Sequence, residues 1–149
     1  MYIRFAHYTG IYFGDYVSRF SFWLGKDSDT RLIELRRGEG GQGPMSLRLN
    51  GSTVATGTIP LLKTTWFLIE LYVKLDSIDG RIIVKVNGRT DIDYSGNTDV
   101  LSQETINRLY FHNYYYMVSS AYAYYDDIAV NDTEGEEDNG WCGDGHVLY

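Results

Sequence analysis

The segment from Trp66 to Gly88, WFLIELYVKLDSIDGRIIVKVNG, constrains this chain more than any other. Phe67, Ile69, Leu71, Val73 and Leu75 put an apolar residue at every odd position of its first half, with Glu70 and Lys74 among the even ones. That period of two belongs to a strand with one buried face. The second half runs with the opposite parity: Ile82, Val84 and Val86 make an apolar face, and Arg81, Lys85 and Arg89 lie across from it. Asp76 to Gly80, between the halves, is turn chemistry. Neighbouring strands must bury the same side, so an odd residue of the first strand faces an even residue of the second. A four-residue loop, Asp76 to Asp79, meets that condition and sets Leu71 against Val84 inside and Glu70 against Lys85 outside. Two long antiparallel strands of this kind need a second sheet to cover them.

The same alternation recurs along the chain. Ile3, Phe5 and His7 alternate with Tyr2, Arg4, Ala6 and Tyr8; Phe20, Phe22 and Leu24 give a second inner face; a third strand runs from Thr30 to Arg37. Asn50-Gly51 and Asn87-Gly88, each between alternating runs, predict hairpins closed by type I′ turns. Gly38 to Gly43 reads as a loop, because the Gly-Lys-Ser/Thr and the helix that would make it a phosphate cradle do not follow. Asp99 to Thr105 is where a helical turn is expected, capped by Asp99 or Ser102. A strand from Ile106 to His112 and a last one from Ala121 to Val130 complete about nine, which predicts an all-β, two-sheet antiparallel β-sandwich. Residues 1–130 are expected to form the sandwich domain, and 131–149 an irregular acidic segment packed on it or trailing from it.

Composition narrows the function. The chain has 149 residues and a net charge of −7, unevenly spread: its 13 Lys and Arg all precede residue 109, and 8 of its 20 acidic residues follow it. A basic patch able to hold phosphates is therefore not expected, and with it no nucleic-acid partner. No apolar run approaches the ~20 residues of a membrane helix, so no membrane partner is expected. The single cysteine, Cys142, excludes an internal disulfide and a cysteine-built zinc site.

Two stretches carry a family resemblance. Trp66 opening a long strand, then an acidic-basic hairpin, then Val84-x-Val86-Asn87-Gly88, is similar to the late strands of concanavalin A-like and laminin G-like jelly rolls. The end of the chain, YYDDIAVNDTEGEEDNGWCGD, resembles the carboxy-terminal signature of a group of bacteriophage virion proteins with that fold. The matching positions are Asp126, Asp127, Ile128, Val130, Asp132, Thr133, Gly135, Asn139, Trp141, Gly143 and Asp144. The likeness spans about residues 17 to 149. It departs at both ends, since such proteins usually continue past Gly-Asp into another strand and carry a segment before the strand at Tyr2. The resemblance implies a structural protein of the virion, in capsid decoration or in the tail, working through contacts with other virion proteins and with copies of itself.

The residues themselves suggest no reaction centre. Retaining glycosidases on this kind of fold set two carboxylates about 5 Å apart on one strand, typically as Glu-x-Asp-x-x-Glu, and no such run exists here. His7, His112 and His146 lack a Ser or Cys arrangement that spacing identifies. No enzymatic activity is expected. Asp126, Asp127 and Asp132, with Asn131 and backbone carbonyls, are the calcium candidates. Asp126 is placed on one face with Ile128 and Val130, where a carboxylate must be paired, hydrogen-bonded or metal-bound. The preferred reading has Asp126 accepting backbone N–H bonds or pairing with an arginine such as Arg19 or Arg108, and Asp127 solvated, because positions along one strand do not converge; no cofactor is then needed. Tyr122 and Tyr124 are expected to pack in the sandwich. Tyr114, Tyr115 and Tyr116 cannot all face one core, and they form the candidate platform for a protein interface or a sugar ring. The alternative function is thus a carbohydrate-binding module of a tail fibre or adhesin that recognises host-surface glycans. A laminin G-type adhesion domain stabilised by calcium is the third.

Overall fold

The computed structural model describes residues 1–9, 19–26, 30–37, 43–102, 105–114 and 123–131. They contain ten strands: β1 (Tyr2–Thr9), β2 (Arg19–Lys26), β3 (Thr30–Arg37), β4 (Met45–Leu49), β5 (Ser52–Thr56), β6 (Trp66–Lys74), β7 (Gly80–Val86), β8 (Arg89–Gly96), β9 (Arg108–Tyr114) and β10 (Ala123–Asn131). The first sheet has the order β10-β1-β6-β7-β8 and the second β5-β4-β3-β2-β9. Every pairing is antiparallel. The chain starts in the first sheet, crosses to lay down four strands of the second, returns for β6 to β8, and then gives one last strand to each. The result is a two-sheet antiparallel β-sandwich with a jelly-roll-like strand order, as the alternation predicts.

The β6–β7 hairpin has the register read from its sequence, with Leu71 opposite Val84 and Glu70 opposite Lys85. Its loop is an Asx turn: the Asp76 carboxylate accepts the N–H groups of Ile78 at 2.7 Å and Asp79 at 2.8 Å. Both Asn-Gly pairs occupy the left-handed region at both central positions, Asn50 and Gly51 at φ 44° and 80°, Asn87 and Gly88 at φ 49° and 76°. These are the type I′ turns expected. Asn87 also reaches across to β6, exchanging hydrogen bonds with the backbone of Leu68 through its own N–H and its side-chain oxygen.

The inner faces meet in one core. Ile3, Phe5, Phe67, Ile69, Leu71, Ile82 and Val84 from the first sheet pack with Phe22, Leu24, Ile33, Leu35 and Leu47 from the second. Each such buried side chain contributes about 1.5–3 kcal/mol. Beside β9 and β10 the core is aromatic: Phe5, Phe22 and Phe111 lie within 5.3 Å of one another by ring centroids, and Tyr125 packs against Phe111 at 4.7 Å with the rings tilted by 53°. Two polar residues also face inward. His7, 1% exposed, continues the Ile3-Phe5 face, and Arg37, also 1% exposed, follows Ile33 and Leu35 and donates to the Leu61 carbonyl. Burial, and after it the Arg37 guanidinium, lowers the His7 pKa from 6.5 to about 3; burial lowers Arg37 to about 10.

One prediction fails for an identifiable reason. The last strand does not keep strict alternation. Between Arg4 and Ala6, β1 advances two residues while β10 advances three, from Ala129 to Asp126, a β-bulge with Asp127 at φ 51°. The bulge leaves Asp126 and Tyr124 on the outer side, opposite Ala6 and Tyr8, and Val130 opposite Ile3. Asp126 therefore shares no core face with aliphatics: it is exposed, and Ile128 and Val130 are 50% and 53% exposed. Tyr124 lies outside the sandwich and Tyr125 inside it. The helical turn expected over Asp99 to Thr105 is described only in part. Asp99 to Ser102 closes as a single tight turn, the Ser102 N–H donating to the Asp99 carbonyl at 3.1 Å; residues 103–104 lie outside the described set, as does most of the Gly38 to Gly43 loop and all of 132–149.

Two clasps close the rim. The buried Thr98 hydroxyl donates to the Lys74 carbonyl at 2.7 Å and accepts from the Asp76 N–H at 3.0 Å, tying the end of β8 to the β6–β7 loop. Asp91 on β8 accepts the N–H groups of Thr58 and Ile59 at 2.6 and 2.8 Å, fastening the chain after β5 to the other sheet. Gly80 sits under the first clasp, where a Cβ would come within 2.6 Å of the Gly96 carbonyl oxygen and 2.8 Å of that of Asp76. Because those atoms are backbone, Gly80→Ala is expected to cost about 1–3 kcal/mol and to lower the thermal midpoint by several degrees, read by a melt followed in circular dichroism. For His7 the native state stays neutral while the unfolded chain takes up a proton below pH 6.5. The unfolded state then binds more protons between pH 6.5 and about 3, so stability falls as pH falls through that window, by up to about 1.4 kcal/mol per pH unit. Urea melts from pH 7 to 4 should show a smaller loss for His7→Gln than for the parent chain.

Candidate functional site

The outer face of the first sheet carries the site. Inward-facing odd residues on β1 and β6 leave the even ones outside, and on β7 the parity reverses. Register then assembles rows across the sheet. Tyr2, Tyr72, Ile83 and Asp93 make one, Arg4, Glu70 and Lys85 the next, and Tyr124, Tyr8 and Trp66 lie at the far end. Each row draws on separate strands, so side chains distant in sequence become neighbours at the strand spacing of about 4.8 Å.

Aromatic rings mark both ends of the face. Tyr2 and Tyr72 lie 4.9 Å apart with their planes at 42°. At the opposite end Tyr8 lies 5.3 Å from Trp66 and 5.9 Å from Tyr124. Between them Glu70, only 8% exposed, is set by register between Arg4 and Lys85.

A groove of about 420 Å³ opens at the Tyr2 and Tyr72 end, lined by these two rings with Ile83, Lys74, Asp79 and Arg81. Its charges come in pairs. Arg81 grips Asp93 through two hydrogen bonds, Nε to Oδ1 at 3.0 Å and Nη2 to Oδ2 at 2.8 Å, and Lys74 Nζ lies 2.7 Å from the Asp79 carboxylate. The Arg81 hydrogen bond holds Asp93 below the usual carboxylate range, and the bond to Asp79 raises Lys74. Arg81 is raised in turn by its bond to Asp93, so Arg81, Lys74 and Asp93 each favour their charged form.

The residues singled out in the sequence fall elsewhere. Tyr114 ends β9, opposite Arg19, while Tyr115 and Tyr116 lie outside the described residues. Asp126 and Asp127 form the bulge of β10, where Asp126 Oδ1 accepts the Asp127 N–H at 2.8 Å; Asp132 lies outside the described residues. Among the described residues no three His, Cys, Asp or Glu side chains gather as a metal-holding group, and no helix is long and apolar enough to cross a membrane. The rings that do come together, Tyr2 with Tyr72 and Tyr8 with Trp66 and Tyr124, were not singled out in the sequence as a site, and Tyr124 was expected inside the sandwich. The signal was there only as parity: they are aromatics at outward positions of strands whose pairing is non-local.

No protein-family model matches this chain, and no curated protein matches it. What places it in a class is its architecture, an all-β sandwich of two antiparallel sheets in jelly-roll-like order.

The Arg81–Asp93 pair is half-exposed, at 49% and 43%, and the Lys74–Asp79 pair more open, at 43% and 87%. Exposed pairs of this kind contribute little to folding. Arg81→Ala should shift the thermal midpoint by no more than ~2 °C, and the difference should shrink further in high salt, read by differential scanning fluorimetry.

Proposed function

We propose that this chain is a non-enzymatic structural component of a bacteriophage virion, in capsid decoration or in the tail, working through protein contacts that include other copies of itself. The observation that carries the contact role is the edge strand β10. It leaves Ile128 and Val130 half-exposed on the border strand of the first sheet, and an apolar sheet edge calls for a cover. The virion assignment draws its support from the resemblance of Asp126-Asp127-Ile128-x-Val130 and the residues after it to the end signature of virion proteins. In this reading the sandwich is a rigid support, its surfaces bind, and no bond is made or broken. Quantitative mass spectrometry of purified virions should find the chain in many copies per particle; its absence from particles whose host cells express it overturns the assignment.

A second reading, a carbohydrate-binding module directed at host-surface glycans, is favoured by a different observation: the aromatic, groove-bearing outer face of the first sheet.

A further inference from the structure

We propose that the groove over Tyr2, Tyr72 and Ile83, flanked by the Arg81–Asp93 and Lys74–Asp79 pairs, is a binding site for an uncharged saccharide. This inference deepens the second reading by assigning it a site and a ligand class, at residues other than Tyr114 to Tyr116; it does not depend on the virion assignment.

Size comes first. A volume of about 420 Å³ falls in the lower half of the ~300–1,000 Å³ typical of small-molecule sites. The floor suits a sugar ring, because Tyr72 and Tyr2, tilted at 42°, offer flat amphipathic surfaces whose order costs little entropy. A pyranose has one face of C–H groups to lie on such rings and a rim of hydroxyls to be bonded at the sides.

The sides supply that bonding. Arg81 spends two of its five N–H groups on Asp93, and the carboxylate has further lone pairs. Lys74 and Asp79 add a second donor beside a second acceptor. A hydroxyl both donates and accepts, so neighbouring hydroxyls on a sugar match alternating donors and acceptors without breaking either ion pair.

Charge decides between ligand classes. Two cations already face two carboxylates around the groove, so a phosphate, a uronate or an anionic lipid would have to displace Asp93 or Asp79 to gain its own partner. A neutral polyhydroxyl ligand meets no such opposition. A protein partner fits less well, since interface centres are depleted in Lys and Asp, and docking would strip water from two solvent-exposed pairs at a desolvation cost. Along β6, Trp66 stands six residues from Tyr72, about 20 Å away at strand rise. A polymeric saccharide lying along that strand would pass from the groove to the Tyr8–Trp66–Tyr124 rings.

Affinity electrophoresis of the full chain in native gels cast with dextran, laminarin, arabinoxylan or galactomannan tests the site, with alginate as the anionic comparison. Slowed migration in at least one neutral gel is expected, unchanged by 0.5 M NaCl in isothermal titration with the same polysaccharide, on the order of the weak salt dependence of uncharged ligands. Tyr72→Ala should weaken that binding about tenfold. Arg81→Ala, an exposed change, should weaken it while the melting curve is kept, so the test stands even if Tyr72→Ala fails to fold. Unchanged migration in all four neutral gels overturns the proposal. So does retardation in alginate alone that salt abolishes, or retardation that survives both substitutions. A chain missing from virions that is still slowed by these gels leaves the site standing and removes only the virion assignment.

Discussion

The ladder that β6 makes with β1 on one side and β7 on the other fixes everything else in this molecule. It holds Ile69 against Phe5 and Val86, and Leu71 against Ile3 and Val84. Because side chains alternate along a strand, that single register determines both surfaces of the sheet at once. A slip of one residue would expose the core row and bury Glu70, Tyr72 and Lys74 in its place. The apolar inner face, worth many kcal/mol when covered by β2 to β4, is thus also what holds Tyr72 opposite Tyr2 and Arg81 within reach of Asp93. The core and the groove are two readings of one alignment.

Where the inner faces meet the end of the sandwich, the protein departs from an all-apolar core. His7 and Arg37 occupy inward positions that the pattern of their strands would give to aliphatics. The His7 ring remains neutral and stacks 5.1 Å from Tyr125, which makes it behave as a polar member of the aromatic cluster. Arg37 satisfies a carbonyl in the segment between β5 and β6, near the bridge that Leu61 makes with Gly43. Together with the Asp91 clasp, this organises by hydrogen bonds a linker that has no strand of its own.

Much of this architecture was legible in the sequence, and what was legible was local. Alternation gave the inner residues of β1, β2, β6 and β7, the two Asn-Gly pairs gave their turns, and the Asp76 to Asp79 loop gave the hairpin register. Each of those signals lies within a few residues of the structure it specifies. The bulge at Asp127 was hidden because nothing in AYAYYDDIAV says that one residue will be unpaired; the bulge depends on how β10 lies against β1. The outer rings were hidden for the same reason, since Tyr2 and Tyr72 are neighbours only once β1 has chosen β6. Local density drew attention to Tyr114 to Tyr116, whereas the rings that converge in the described structure come one per strand. Asp91 and Thr98 gave no sign of their clasping roles, which exist only where β8 meets chain from elsewhere.

The kink at Asp127 has a further effect on how copies of this protein can meet. A straight border strand offers an unbroken run of amide groups on which identical chains can stack without limit, the geometry of fibrils. With one residue out of step midway along β10, the hydrogen-bonding rhythm of that border is interrupted, and a second chain laid alongside would fall out of phase after a few residues. A chain docking at that border meets the half-exposed side chains of Ile128 and Val130 and not an unbroken backbone ladder.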